Sequence, residues 1–587
     1  MKCSYCELNC TIHEGSTGHE GSTGVCRCYT NESGTIVERF PGTYLVEYPI
    51  SIETMPLLHF YPQGKFLQVS TIGCNFSCPS CVSEILTGMV DELAPAMKKR
   101  RPGEVVAHAL AEHCIGIVFC LNDPAVAYPT FLALAQAAHE QGLLVGCSTN
   151  GYFTPDALAG LLPFLDCVSV GVKGCSDAAY RSCGVSVAAP VFSTIQTLVK
   201  HHIHVEVTLV HVRGHEQDLI DTAEKIATIS QKIPLQVMRF VAFGTADLAL
   251  EPSIHESEQV CDTLLKNFPF VYLFNSPGST YLDSHCPICG SSVISREMFG
   301  PMGAHVIENQ QDGVCQCGYH LPITGMIASL PFTETGMMGG YRPTRALETI
   351  DTYLVCLGVT DRESRVRVWV DFMQRNYINE LHMKIQTVEG SYEIISHLAQ
   401  LTGHESRGDE LIRYLKEKVA DITTRIDGAA KPSVYYMMGL PRFALNEGRF
   451  EMRLVELAGG EITNRNLPRQ GKPGIMISDE DLRRMNPDVM IISGLFSTTV
   501  EDVSAYCDEH GIDVPASKNC QVHAMHPSWD FGNPRWILGL LVLANILHPD
   551  RCAFDIPAEA DAFYQKFYGI PFADTRTNRS FFRPTAS

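Results

Sequence analysis

Short apolar runs alternate with amphipathic stretches over the first half of the chain. Phe66-Leu67-Gln68-Val69 is followed by Gly116-Ile117-Val118-Phe119, by Leu143-Leu144-Val145, and by the alternating segment Val168–Val172. Val205, Val207 and Leu209 form another alternating run, and Leu235–Met238 the last. Between them, helical periodicity predicts helices over Phe131–Gln141, Val191–Lys200 and Asp218–Ser230. Repeated strand–helix units predict an α/β fold built on a parallel sheet. In such sheets chemistry sits at the carboxyl ends of the strands.

The pattern changes near residue 326. Ser391–Ile426 reads as a long helix, with Leu411, Leu415, Val419 and Ile422 on one face and Gly403 as a point of interruption. Ser433–Gly439 reads as a strand, Leu454–Leu457 as a helix ended by Gly459-Gly460, Asp479–Arg484 as a short helix, and Pro487–Gly494 as a buried strand. A second α/β unit with parallel strands is expected here. The apolar run Trp536–Leu547 is too short to span a bilayer, and no tandem repeat or low-complexity tract stands out.

Composition narrows the picture. At 587 residues, two to four domains are expected. A formal net charge of −20 argues against a nucleic-acid surface as the main partner. The 23 cysteines cluster at short spacings and begin at Cys3 with no signal peptide ahead of them. A secreted disulfide framework is therefore a poor reading. A cytoplasmic protein with metal-bound thiolates, engaging neither membrane nor nucleic acid, is the expectation.

Cys74, Cys78 and Cys81 stand at Cys-x3-Cys-x2-Cys spacing directly after an apolar run. A loop of this kind can ligate three irons of a [4Fe-4S] cluster and leave the fourth open, which separates a reactive centre from a structural one. A zinc site or a closed ferredoxin-like cluster calls for a fourth cysteine close by, and none stands there. The spacing resembles the signature of the radical S-adenosylmethionine (SAM) enzymes, in which the open iron holds SAM and one electron splits its sulfonium. The resemblance implies a partial (β/α)6 barrel over 46–270 and an electron donor such as ferredoxin or flavodoxin. Asn122-Asp123-Pro124, Ser148-Thr149-Asn150-Gly151 and Lys173 are similar to that family's Asn-Glu-Pro, Thr-Asn-Gly and Asp-Leu-Lys segments, with Gly171 at the aspartate position. Asn122, Asp123, Thr149, Asn150, Gly151 and Lys173 are accordingly the implied SAM contacts. Ser80 replaces the aromatic that usually lies against adenine. Cys120, Cys147, Cys175 and Cys183 also lie near strand ends and stay unassigned, because cysteine is most often a small buried hydrophobe.

Two cysteine-rich flanks surround this core. In 1–45, Cys3, Cys6, Cys10 and Cys26 form a candidate metal set, with Cys28 beside them and a Gly/Ser/Thr-rich loop over His13–Val25. Together with Pro56-Leu57-Leu58-His59-Phe60-Tyr61-Pro62 this start resembles the subgroup often labelled AmmeMemoRadiSam, which looks like pyruvate formate-lyase activating enzyme; Glu7 departs from its usual proline. In 271–325, Cys286, Cys289, Cys315 and Cys317 form paired knuckles, each pair followed by glycine. Four thiolates there suit zinc or an auxiliary iron–sulfur cluster, and the spacing leaves both open.

Over 326–587, Val455–Gly460, Asn486-Pro487-Asp488-Val489, Gly532–Leu540 and His548-Pro549-Asp550 resemble the iron-complex and corrinoid substrate-binding proteins of ABC importers. That resemblance implies two α/β lobes joined by a long helix, with a metal complex or corrinoid held between them. His523, His526, Trp529 and Asp530, with Tyr341 and Arg342, form the candidate ligand patch. The combined expectation is a radical-SAM enzyme fused to a domain that binds a metal complex or metallocofactor. Its rivals are an activating enzyme that installs a glycyl radical on a partner protein, and a non-catalytic metal carrier.

Overall fold

The computed structural model describes residues 1–14, 23–242, 246–332, 334, 338–375, 377–467 and 473–572. The tip of the N-terminal loop, 15–22, lies outside them. An eight-stranded sheet dominates the first half. Its strands are β1 (Val46–Ser51), β2 (Lys65–Ser70), β3 (Gly116–Phe119), β4 (Leu144–Thr149), β5 (Cys167–Gly171), β6 (His204–His211), β7 (Leu235–Arg239) and β8 (Val271–Phe274). They lie side by side in chain order, with β1 and β8 at the edges. β1 pairs antiparallel with β2, and every other pairing is parallel.

Crossover helices connect the parallel strands: α1 (Pro102–Ala111), α2 (Tyr128–Glu140), α3 (Pro155–Leu161), α4 (Asp177–Ser182), α5 (Ala189–Lys200), α6 (Glu216–Ala227) and α7 (Ile254–Leu264). The strands read as apolar runs because helices and polar plugs cover both faces; all four residues of β3 are buried. The sheet runs past the expected boundary at residue 270, since β8 pairs with β7. At the amino ends of the strands the fully buried Glu206 accepts from the Leu58 and His59 amides at 2.9 and 2.7 Å, from His204 at 3.0 Å and from Gln236 at 2.5 Å. Leu58 and His59 are thus tied to the amino ends of the strands, while Pro56 lines a cavity shared with the cysteine loop.

A ribbon of β9 (Ser284–His285), β10 (Ser292–Met298) and β11 (Ala304–Asn309) follows. Then come five helices, α8 (Arg342–Cys356), α9 (Arg362–Gln374), α10 (Ile378–Lys384), α11 (Val388–Thr402) and α12 (Glu405–Arg425). The long helix expected over Ser391–Ile426 is two helices. Gly403 ends α11 in the left-handed region at φ 72°, where glycine has no Cβ to clash.

A second sheet holds β12 (Ser433–Met437), β13 (Phe443–Leu445), β14 (Glu461–Ile462), β15 (Gly474–Met476), β16 (Val489–Ile492) and β17 (Val522–Ala524). β12, β16 and β17 are parallel, and β13 and β15 join antiparallel. Two sheet-bearing lobes were expected over 326–587. Among the described residues there is one sheet, and the part ahead of it is helical. The expectation of a second sheet comes from the resemblance to importer binding proteins; the residues of 342–425 themselves form helices. No helix among the described residues is long and apolar enough to cross a membrane.

Candidate active site

Seven parallel strands deliver the residues that follow them to one end of the sheet. The cysteine loop leaves β2 there, and Asn122 braces it from the end of β3. Its side-chain oxygen accepts from the Ser70 hydroxyl at 2.8 Å and the Thr71 amide at 3.1 Å, while its amide donates to Thr71 Oγ1 at 2.9 Å and the Gly73 carbonyl at 3.1 Å. Asp123 ties β3 to β4. One oxygen accepts from the Ala125 amide at 2.9 Å, the other from the Thr149 hydroxyl and the Asn150 amide at 2.8 Å each. Burial pushes its carboxyl above the usual range, against these donors.

Asn150 reaches the loop itself, donating to Asn75 Oδ1 at 2.7 Å and to the Cys74 sulfur at 3.8 Å. The Phe76 amide also points at the Cys74 sulfur, at 3.4 Å. Gly151 turns the chain after β4 at φ 74° and lies off the cavity wall. Donors aimed at sulfur suit a thiolate ligand.

Lys173, after β5, lies within electrostatic reach of four cysteines. Burial acts to lower its ammonium, but Cys78, Cys183, Cys81 and Cys74, in that order of influence, hold it above its ordinary value. Burial likewise pushes the Cys74 and Cys81 thiols up. Cys183 stands beside the motif loop, its carbonyl accepting from the Ser77 amide at 2.9 Å. Three cysteines, a half-buried cation and sulfur-directed donors would suit a negatively charged iron–sulfur group on Cys74, Cys78 and Cys81.

These residues line one cavity of about 920 Å³, at the upper end of the range for ligand sites. Its far wall comes from the C-terminal part. Tyr341 and Arg345 enter at the start of α8, Met438 follows β12, Phe496 follows β16, and Arg449 and Arg535 flank them. The carboxyl ends of the parallel strands of the two sheets thus border one space. The lobe is docked by Leu440 N on the Pro277 carbonyl at 2.9 Å, by Ser497 N on Glu251 at 3.2 Å, and by Arg239 over the Phe496 ring at 5.2 Å.

The expected ligand patch does not form as a unit on this cavity. Tyr341 lines it, but His523, His526, Trp529, Asp530 and Arg342 do not. Trp529 is buried and stacks on His526 with ring centroids 4.3 Å apart. Asp530 accepts from Tyr436 Oη at 3.0 Å and Gly494 N at 2.9 Å inside the lobe.

The two cysteine flanks differ. The side-chain donor atoms of Cys286, Cys289, Cys315 and Cys317 all lie within 4.8 Å of one another. Cys286 and Cys317 sulfurs are 3.5 Å apart, and Cys289 and Cys315 sulfurs 3.4 Å. Tetrahedral thiolate ligation of one zinc at about 2.3 Å spaces sulfurs by roughly 3.8 Å, so this group is sized for a single ion. Cys3, Cys6, Cys10 and Cys26 lie in the N-terminal segment, where the Cys3 amide donates to the Cys10 carbonyl at 2.9 Å. No three of them gather within that distance, and among the described residues they do not form a single-ion site.

Residues 368–527 match the family model described as periplasmic binding protein. An uncharacterised protein of Methanocaldococcus jannaschii is 27% identical over 305 residues, 51% of this chain and 88% of that one. Among solved structures, a periplasmic solute-binding protein from Veillonella parvula is 20% identical, covering 32% of this chain and 60% of its own, with a TM-score of 0.30. Helicobacter pylori CeuE with Ni(II) bound is 20% identical over 32% of this chain and 61% of its own, with a TM-score of 0.29. Haemophilus influenzae MolA bound to molybdate is 19% identical over 34% and 63%, with a TM-score of 0.28. The chain spans about three-fifths of the length of these binding proteins.

Proposed function

We propose that this chain is a radical-SAM enzyme: its eight-stranded sheet is the partial barrel, and the periplasmic-binding-protein lobe completes the chamber in which a small substrate is held. The observation that carries the reading is convergence. Cys74, Cys78, Cys81, Asn122, Asp123, Thr149, Asn150 and Lys173 come from separate strand ends and meet on one cavity. A four-iron cluster on the three cysteines would supply the single electron that splits SAM into methionine and a 5′-deoxyadenosyl radical.

The chain's own residues do the positioning. Asn122 fixes the loop that presents the thiolates, and Asn150 and the Phe76 amide donate to the Cys74 sulfur. Lys173 offsets the negative charge of the sulfurs or of a carboxylate bound beside them. The lobe stands over the mouth and shields a reactive species from water.

That placement also favours a small molecule over a partner protein's glycyl loop, and it changes what the lobe is for. A ligand here, such as a metal complex or metallocofactor precursor, would lie between the lobe and the strand ends rather than inside the lobe. The isolated fragment 326–587 would then carry only one wall of the site.

The test uses the full chain, reconstituted anaerobically with iron and sulfide, reduced, and given SAM. It is expected to form 5′-deoxyadenosine. Replacing Cys74, Cys78 and Cys81 by alanine is expected to abolish it. No nucleoside from the unaltered chain, or undiminished product from the triple variant, sinks the proposal.

A further inference from the structure

Among the described residues of 433–572, two arginines and no carboxylate line the shared cavity. Both arginines are buried, Arg449 at 3% exposure and Arg535 at 4%, and they differ in what faces them. Arg449 has a counter-charge, because its Nε donates to the buried Glu451 at 3.1 Å. Arg345, which enters the cavity from α8, pairs with Glu348 at 2.7 Å. Arg535 pairs with no carboxylate among the described residues. Its Nε donates to Asn533 Oδ1 at 2.9 Å, and the other groups beside it, Tyr564, Tyr568 and Cys356, are uncharged.

The position adds to the cost of that charge. Arg535 immediately precedes the helix Trp536–Leu547, at the positive end of the helix dipole, where a cation is disfavoured. Burying a guanidinium without a counter-charge is unfavourable in its own right. The loop nevertheless holds it there. Asn533 Nδ2 donates to the Ser528 and Phe531 carbonyls at 2.8 and 2.7 Å, and its Oδ1 accepts from the Arg535 amide at 3.0 Å as well as from Nε. Ser528, Phe531, Gly532 and Asn533 line the cavity together with Arg535. A cation fixed at such expense on a cavity wall calls for an anion from outside the chain.

We propose that Arg535 anchors an oxyanion of the chamber's small-molecule ligand, a carboxylate or a phosphate. With Nε held by Asn533, the terminal nitrogens of the fork are the donors that meet it, and a planar fork matches two oxygens of either group. Leu495 and Phe496 on the same wall lower the local dielectric and strengthen the contact. That this ligand is the substrate of the radical step rests on the reading above; that the wall takes an anion does not.

The experiment is titration calorimetry of the full chain in chloride buffer at fixed ionic strength, with succinate and inorganic phosphate as separate probes. At least one is expected to bind, and which one does assigns the group as carboxylate or phosphate. Arg535→Met is expected to weaken that binding about tenfold to hundredfold, and Arg535→Lys, which keeps the charge without the fork, to weaken it less. Without anion, the Arg535→Met chain is expected to melt no lower than the unaltered chain, because a buried charge lacking a carboxylate has been removed. Binding of neither probe overturns the inference. So does equal affinity in Arg535→Met, or a lower melting temperature of that variant, which would make the arginine part of the lobe's own structure. None of these measurements needs a cluster or SAM. A chain that binds the anion through Arg535 but forms no 5′-deoxyadenosine loses the enzyme reading alone; one that forms the nucleoside but binds neither probe loses this inference alone.

Discussion

At the scale of single residues, the site is held by side chains whose hydrogen bonds are spent on the protein. Asn122 makes four contacts to the segment around the cysteine loop and is itself buried. Asn122→Ala is expected to strand buried partners at about 1–3 kcal/mol each before relaxation, and to lower both unfolding stability and the iron retained per chain. Denaturant titration and iron analysis check this; a variant with full iron and full stability would refute the bracing role. Glu334 shows the opposite economy. It is buried, accepts from Ser51 N at 2.9 Å and Thr54 Oγ1 at 2.7 Å, and burial lifts its carboxyl to about 7 from 4.5. The folded chain keeps this proton after the unfolded chain has lost it. Stability from this group is therefore full below about 4.5 and declines as pH rises to about 7, by at most about 3 kcal/mol. Glu334→Gln is expected to flatten that part of the melting-temperature profile between pH 5 and 7, and an identical slope in the variant would contradict it.

At the scale of elements, most strands and helices are placed by periodicity alone. β3, β4, β6 and β7 fall where short apolar or alternating runs predict them, and α2, α5 and α6 where helical spacing does. What fails has a physical reason. β8 is only four residues long, and its membership in the sheet appears in its pairing with β7. The break between α11 and α12 shows a single residue deciding an element. Gly403 is exposed with nothing within 4 Å, so a methyl group would meet no neighbour and only the left-handed backbone would object. Gly403→Ala is expected to cost about 1 kcal/mol in thermal unfolding, and a melting point at or above that of the unaltered chain would show that the break relaxes freely.

At the scale of the whole molecule, the two halves make one chamber. The lobe's strand-end loops and the cysteine loop are far apart in sequence, and a reading of each half separately puts a ligand inside the C-terminal domain. The contacts at Leu440, Ser497 and Phe496 bring the lobe's strand ends over the cavity instead. The ribbon between the halves carries the Cys286–Cys317 group. One metal ion per ribbon is expected, bound without sulfide. Cys286→Ser or a strong chelator should remove that equivalent and lower the melting temperature, with emission spectrometry for the count. Acid-labile sulfide at this site, measured in a variant lacking Cys74, Cys78 and Cys81, would argue for a cluster instead.

The sequence by itself determined the elements, the three-thiol loop, and the residue types that follow each strand, because periodicity and spacing are local properties of a chain. It also marked the four ribbon cysteines, though not their geometry; sulfurs 3.4 and 3.5 Å apart are a fact of folding. Only the tertiary structure decided that Asn122 and Asp123 brace the loop, and that Lys173 and Cys183 line the same cavity as the motif cysteines. It likewise decided that a single lobe shares its cavity with another sheet. Each of these depends on which strands become neighbours and which faces meet, and distance between residues far apart in the chain is set by packing, not by order.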